Sequence, residues 1–328
     1  MIKIRHEKQA NYKSVFVNGK TIRMPIDPTK TITELHYPEF YDLSPGNRCS
    51  GGCDYCYAGA SRTGVHYKNL VDKINRFFGT MTENQRPFQV AIGGEQEPLE
   101  NPEIWDMMQR LLELGIVPNY TTNGMFVTDK VIEKTLGLTN GVAVTMHSHL
   151  EKFWRKAIQK FSEAKIKLNV HVIISDAASI DYTENLYREF VDTGMVDYFV
   201  LLPYMNTGHA ANNPKRIDFN HLERWVDKVF KAGCLAFGAN FYSFIKKHRA
   251  KYDVSIYPPE IMSKYLILND SMTLCNNSFE KKTVNYTPGV GCELGMARMK
   301  FMELDEVEED EVEEYPWSKY ADSARACY

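Results

Sequence analysis

Short apolar runs recur along the chain at 39–44, 88–92, 117–121, 141–146, 168–174 and 197–202. Between them, near 67–79, 101–114, 128–136, 150–165, 182–194 and 218–233, apolar residues fall at helical spacing. Ile104, Met107, Met108, Leu111 and Leu112 form one such stripe. The short runs read as strands and the longer periodic stretches as helices. Six strand–helix repeats with short turns predict parallel strands joined by crossover helices. Eight repeats would close a barrel. Six predict an α/β fold, an incomplete (β/α)6 TIM-like barrel over residues 39–233, with its chemistry at the C-terminal ends of the strands. Ser148-His149-Leu150-Glu151 has the capping-box pattern and is expected to start the fourth helix.

The flanks break this rhythm. Within residues 1–38, Tyr12–Pro25 reads as a β-hairpin around Asn18-Gly19, a favoured turn pair, and a connector with Pro28 and Pro38 follows. Residues 234–328 form an α+β C-terminal extension in this reading. CLAFGANF, KYLILND and SMTLCNNSF look like further strands there, expected to pack over or beside the barrel mouth.

Composition narrows the class. Of 328 residues, 44% are hydrophobic and 25% charged, enough to bury a core and incompatible with wholesale disorder. No apolar run approaches the roughly 18 residues of a membrane span, and the polar N-terminus is no secretory signal, so a cytoplasmic protein without membrane contact is expected. Net charge is −3, but residues 303–314 hold nine of the 42 acids and no base, which leaves 33 acids against 39 bases elsewhere. That run reads as a solvated tail segment, with a docking strip for a basic partner as the sharper alternative. Seven cysteines, an odd number, include three within eight residues. Such clustering argues for metal or redox chemistry rather than a secreted disulfide framework.

Those three stand in the loop after the first barrel strand as Cys49-Ser-Gly-Gly-Cys53-Asp-Tyr55-Cys56. Three closely spaced thiolates can hold three irons of a [4Fe–4S] cubane, while ferredoxins supply four cysteines. The fourth iron is then open to a ligand. After the second strand comes Gly93-Gly94-Glu95-Gln96-Glu97-Pro98-Leu99, after the third Thr121-Thr122-Asn123-Gly124, and after the fourth Thr145-Met146-His147-Ser148.

In this order and at these strand ends, the segments resemble the radical S-adenosylmethionine (radical SAM) enzymes over roughly residues 39–205. Tyr55 matches the aromatic residue before the last cysteine. Gly93, Gly94 and Glu95 resemble the segment that holds the amino group of SAM. The chain departs from the pattern there, since two residues separate Glu95 from Pro98, so Glu97 is the alternative carboxylate. Thr122-Asn123 resembles a turn common in the family, and Thr145 and His147 occupy the place of polar contacts to the SAM ribose. Ser175, at the end of the fifth strand, joins them as a cofactor-binding candidate.

The resemblance implies Cys49, Cys53 and Cys56 as cluster ligands and reductive cleavage of SAM to a 5′-deoxyadenosyl radical. It also implies hydrogen-atom abstraction from a substrate and an external low-potential donor such as a flavodoxin or ferredoxin. A peptide or protein side chain is the favoured substrate, with a nucleotide or small metabolite as alternatives. Tyr204 and Asn206, ending the sixth strand, are candidates to line the site. Cys275 and Cys292 are candidates for catalysis or, with Cys327, for an auxiliary iron–sulfur cluster, although dense Cys-x2-Cys spacing is absent; Cys234 reads as an incidental thiol. Two rivals stand beside this reading. One is a non-catalytic zinc or iron–sulfur sensor or docking module. The other is an enzyme that generates a 3-amino-3-carboxypropyl radical.

Overall fold

The computed structural model describes residues 2–229 except Asn18 and Glu34, and also 235–238, 241, 244, 245, 247 and 263–276. Cys234, Cys292, Cys327 and the acidic run 303–314 lie outside the described residues, as does the side chain of Cys275.

The six expected strands form at β4 (Phe40–Ser44), β5 (Gln89–Ile92), β6 (Val117–Thr122), β7 (Val142–Thr145), β8 (Leu168–Ile174) and β9 (Tyr198–Pro203). Helices α1 (Leu70–Phe77), α2 (Ile104–Glu113), α3 (Asp129–Leu138), α4 (Glu151–Glu163), α5 (Ala177–Phe190) and α6 (Phe219–Val229) each follow one of them. All six strands are parallel and paired in chain order. This is the incomplete (β/α)6 barrel that the apolar rhythm predicts.

Two helix starts differ from expectation. The Ser148–Glu151 capping box does not form. Ser148–Leu150 makes a 3-10 turn instead, α4 begins without a side-chain cap, and Glu151 pairs with Arg155 one turn on at 2.6 Å. Helix α5 starts five residues before the expected 182, because Asp176 and Ser179 make a reciprocal capping box there.

The strands expected in the C-terminal segment are built into the barrel sheet itself. β10 (Leu235–Phe237) extends it in parallel beyond β9. β11 (Ser263–Ile267) pairs in parallel with β4 at the other edge, and β12 (Thr273–Asn276) turns back antiparallel on β11. The sheet order is thus β10-β9-β8-β7-β6-β5-β4-β11-β12.

Strand residues alternate between two faces. Tyr41, Leu43, Val90, Ile92, Val144, Val170 and Val172 belong to the buried core against the helices. Their neighbours Asp42, Ala91, Asn119, Thr121, Thr145, Asn169 and His171 turn the other way. A parallel strand buried on both faces is apolar on both; here the second face is small and polar.

The N-terminal hairpin gains a third strand. β1 (Ile2–Glu7), β2 (Tyr12–Val17) and β3 (Lys20–Pro25) form an antiparallel sheet. It packs on the end from which the barrel strands start. Phe16 stacks on Phe88 at 5.5 Å, Arg5 donates to the carbonyls of Tyr37 at 2.7 Å and Arg86 at 2.8 Å, and Lys3 donates to that of Gly115. Tyr12 and Arg23 converge on the buried Glu39 just before β4. The sheet therefore covers the end of the barrel opposite the cysteine loop. Among the described residues, no helix is long and apolar enough to cross a membrane.

Candidate functional site

Cys49, Cys53 and Cys56 leave the C-terminal end of β4 in one loop, each a free, partly exposed thiol. Other strand ends hold this loop. Glu100, after β5, accepts the Ser50 N–H at 2.6 Å and the Ser50 hydroxyl at 2.9 Å. Asn123, after β6, points its amide nitrogen at the Cys49 sulfur from 3.8 Å. After β9, the His209 N–H donates to the Cys56 carbonyl at 2.9 Å and the Thr207 hydroxyl to the Tyr57 carbonyl at 3.2 Å. Gly208, at φ +57°, presses so close that a Cβ there would come within 2.6 Å of the Cys56 oxygen.

Burial pushes the Cys49 thiol up to about 11 and the Cys53 thiol up to about 12. Both are protonated at pH 7 without a cation, so a metal centre here takes up thiolates and releases protons. Three soft sulfur donors suit iron–sulfur chemistry. Among the described residues, no three His, Cys, Asp or Glu side chains converge on a single ion. The chemistry of this donor set, three soft thiols in one loop, fits a cluster that offers each thiolate its own iron.

The second segment lies beside this loop. Gly93 donates its N–H to the Leu43 carbonyl at 3.1 Å, which ties the turn to β4. Gly94 turns at φ +76°, and a Cβ on it would stand 2.6 Å from the Tyr265 hydroxyl. Glu95 and Glu97 are both buried. Glu95 accepts the Ser44 hydroxyl at 3.3 Å. Glu97 caps a 3-10 turn at Pro98–Glu100 and accepts from the Thr122 hydroxyl at 2.8 Å and the Asn123 N–H at 2.7 Å. Burial raises its carboxyl to about 7, against the pull of those donors.

On the next strand end, the Tyr55 hydroxyl lies 3.0 Å from His147 Nδ1. Burial first, then His149 and His171, lowers His147 to about 4, while burial raises Tyr55, so the pair is neutral at pH 7. His149 Nε2 stands 3.0 Å from the Gly51 carbonyl and 3.7 Å from the Cys53 sulfur. Thr145 is buried and opposite His171 in register.

Four further candidates have other placements. Ser175 gives its N–H to the Ser179 hydroxyl at 2.9 Å in the cap of α5. The Tyr204 hydroxyl donates to the Asn213 carbonyl at 2.9 Å, and Asn206 exchanges hydrogen bonds with the Lys215 backbone at 2.8 and 3.0 Å, so both brace the loop after β9. Cys275 is placed only by register, across from Tyr265 on β11. Sequence reasoning passed over Tyr265, Glu100 and the clamp at 207–209, whose partners lie far along the chain.

A model of the Radical SAM superfamily matches residues 43–177, the stretch that carries all four segments. Residues 43–177 therefore resemble a radical SAM domain. The fold of that domain and its surroundings is similar to SuiB of Streptococcus suis. In the crystal structure of SuiB bound to the precursor peptide SuiA, identity is 15%, covering 74% of this chain and 60% of that one, with a TM-score of 0.57. In SuiB crystallised without the peptide the figures are 13%, 87% and 84%, with a TM-score of 0.61. It is also similar to anSMEcpe with bound AdoMet and Cp18Cys peptide, at 11% identity, 75% of each chain and a TM-score of 0.52. At these identities the likeness is one of fold. This chain thus spans about three fifths of the peptide-bound SuiB chain. A comparison with curated proteins found no match.

Proposed function

We propose that this chain is a radical SAM enzyme that acts on a side chain of a peptide or protein. The observation that carries the reading is the set of three free thiols, Cys49, Cys53 and Cys56, at the first strand end of the stretch that resembles a radical SAM domain. These three would hold a [4Fe–4S] cluster. When bound, the cluster and SAM supply reductive cleavage of the sulfonium to a 5′-deoxyadenosyl radical that takes a hydrogen atom from the substrate.

The chain's own residues bind, orient and exclude water. We assign the turn at Gly93 and Gly94 to the SAM ammonium, since residues without a side chain let a ligand approach the backbone closely. Glu95, buried directly after the glycine turn, is assigned as its counter-charge, and Glu97 as the acid that ties this turn to Thr122 and Asn123. Thr145, His147 and Tyr55 form the polar wall for the nucleoside. Tyr204, its hydroxyl engaged in bracing the loop after β9, becomes an indirect support in this reading, and Ser175 remains a candidate contact to the nucleoside. The electron comes from an external donor of the flavodoxin or ferredoxin kind. The peptide preference draws on SuiB bound to SuiA and anSMEcpe with a peptide, which share the fold.

The test is anaerobic reconstitution with iron and sulfide, then dithionite and SAM, with the nucleoside product read by mass spectrometry. 5′-Deoxyadenosine that disappears when Cys49, Cys53 and Cys56 are all replaced by alanine is the expected result. A fully loaded protein that releases none, with or without cell extract as a source of substrate, overturns the reading.

A further inference from the structure

We propose that His149 is a positioning residue that donates a hydrogen bond from Nε2 to the Cys53 sulfur and raises the midpoint potential of the cluster. This rests on the reading of the three thiols as cluster ligands.

The geometry assigns the proton. His149 Nε2 is 3.0 Å from the Gly51 carbonyl oxygen, which can only accept. Nε2 therefore carries the hydrogen. The same nitrogen is 3.7 Å from Cys53 Sγ, so that hydrogen is shared between carbonyl and sulfur. Sulfur bonds are long, and this one falls within their range. The ring is aimed by its surroundings. It meets Tyr55 edge-on, with centroids 6.0 Å apart and planes at 83°. The 3-10 turn that replaces the expected capping box carries it, fixed by the Leu150 N–H on the His147 carbonyl at 2.9 Å and by the buried Leu150. A helix begun at Ser148 would take a different backbone path through His149.

The neighbouring sulfur is served differently. Cys49 Sγ accepts the Gly51 N–H at 3.4 Å and faces the Asn123 amide at 3.8 Å. Cys53 receives its side-chain donor from the next strand end, after β7. Reduction adds one negative charge to the cluster and its thiolates. A donor on a ligand sulfur stabilises that charge and moves the potential up.

The full chain, reconstituted anaerobically, is titrated with dithionite and followed by optical and electron paramagnetic resonance spectra. His149→Phe keeps an aromatic ring against Tyr55 and lacks the donor; His149→Gln keeps a donor. His149 is exposed, so either change spares the core. At the potential where the parent is half reduced, the reduced-to-oxidised ratio of His149→Phe should fall about three- to tenfold, a tenfold change being about 59 mV for a one-electron couple. His149→Gln should stay nearer the parent. Equal potentials for parent and His149→Phe at equal iron content overturn the proposal, as does a glutamine shift as large as that of phenylalanine. Should His149→Phe lose its iron, His149→Leu is titrated in its place. Loss of iron from both donor-less variants makes His149 a loop support and also overturns the proposal. A parent that takes up no cluster instead overturns the proposed function, and shows before any variant is made.

Discussion

Glu97 takes the backbone N–H of Asn123 on one carboxylate oxygen at 2.7 Å, while its other oxygen accepts the Thr122 hydroxyl at 2.8 Å and the Leu99 N–H at 3.3 Å. One buried acid thus bolts the turn after β5 to the turn after β6, and Asn123 carries the connection on to Cys49. A glutamine there keeps one acceptor but turns an amide N–H toward a backbone N–H. Glu97→Gln should therefore cost about 1–3 kcal/mol in urea unfolding, the price of an unsatisfied buried donor.

The same carboxyl titrates. Burial raises it from 4.5 to about 7, so between those values the folded chain holds more protons than the unfolded one. Its contribution to stability is complete below about pH 4.5 and is lost as pH rises through about 7. The parent's stability advantage over Glu97→Gln should shrink between pH 5 and 8. Paired urea curves at several pH values check this, and a difference that grows with pH contradicts it.

Gly94 and Tyr265 make a close approach across two segments about 170 residues apart in sequence. A Cβ at Gly94 meets the Tyr265 hydroxyl at 2.6 Å, and the φ of +76° is already costly for an L-residue. Gly94→Ala should destabilise by about 1–3 kcal/mol and weaken SAM binding by equilibrium dialysis. In a Tyr265→Phe background the loss should be smaller, because the 2.6 Å hydroxyl contact is gone, while the ring contacts at 3.3 and 3.4 Å and the backbone strain remain. Equal losses in both backgrounds would mean that the two residues do not touch.

Tyr265 also shows what the residues could and could not reveal. The alternation of Asp42 and Leu43, or of Asn169 and Val170, is local, so β4 to β9 are legible from spacing alone, as are the cysteine loop and the glycine turn. The run KYLILND is equally legible as a strand. Its pairing with β4 is not, because apolar periodicity carries no address for a partner some 220 residues away. The different surroundings of Glu95 and Glu97 are not legible in the sequence for a similar reason, since only the tertiary fold brings Thr122 and Asn123 to Glu97. At Ser148 the local rule lost to the turn that seats Leu150 in the core, while the box at Asp176 and Ser179, with the same logic, formed five residues ahead of the apolar stripe.

At the far end of the barrel, Arg23 pairs with the buried Glu39, which also receives the Tyr12 hydroxyl. Burial, and then the charge of Glu39, keep Tyr12 protonated well above its usual range. Arg23→Met strands a carboxylate in the interface between the N-terminal sheet and the barrel. It should cost about 3 kcal/mol by urea unfolding, in the range for a buried pair that loses one partner. Iron bound per folded chain should stay at the parental level, since the cysteine loop is at the opposite strand ends.

Gly208 reverses that pattern. It sits at φ +57° against the cysteine loop, with a Cβ position 2.6 Å from the Cys56 carbonyl oxygen and 2.7 Å from the Gly59 nitrogen. These are backbone atoms, which cannot swing aside as a side chain can. Gly208→Ala must push the loop after β9 away from Cys56 and so break the His209 N–H bond to that carbonyl, now 2.9 Å. The clamp is local and lies outside the main core, so the free energy of urea unfolding should fall by no more than about 1–2 kcal/mol of strain. The thiols lose their support directly. Iron and sulfide bound after anaerobic reconstitution should drop at least twofold, and reactivity of the Cys56 thiol toward an alkylating reagent should rise in the metal-free protein. Parental iron content in Gly208→Ala would show that the loop holds its shape without the clamp.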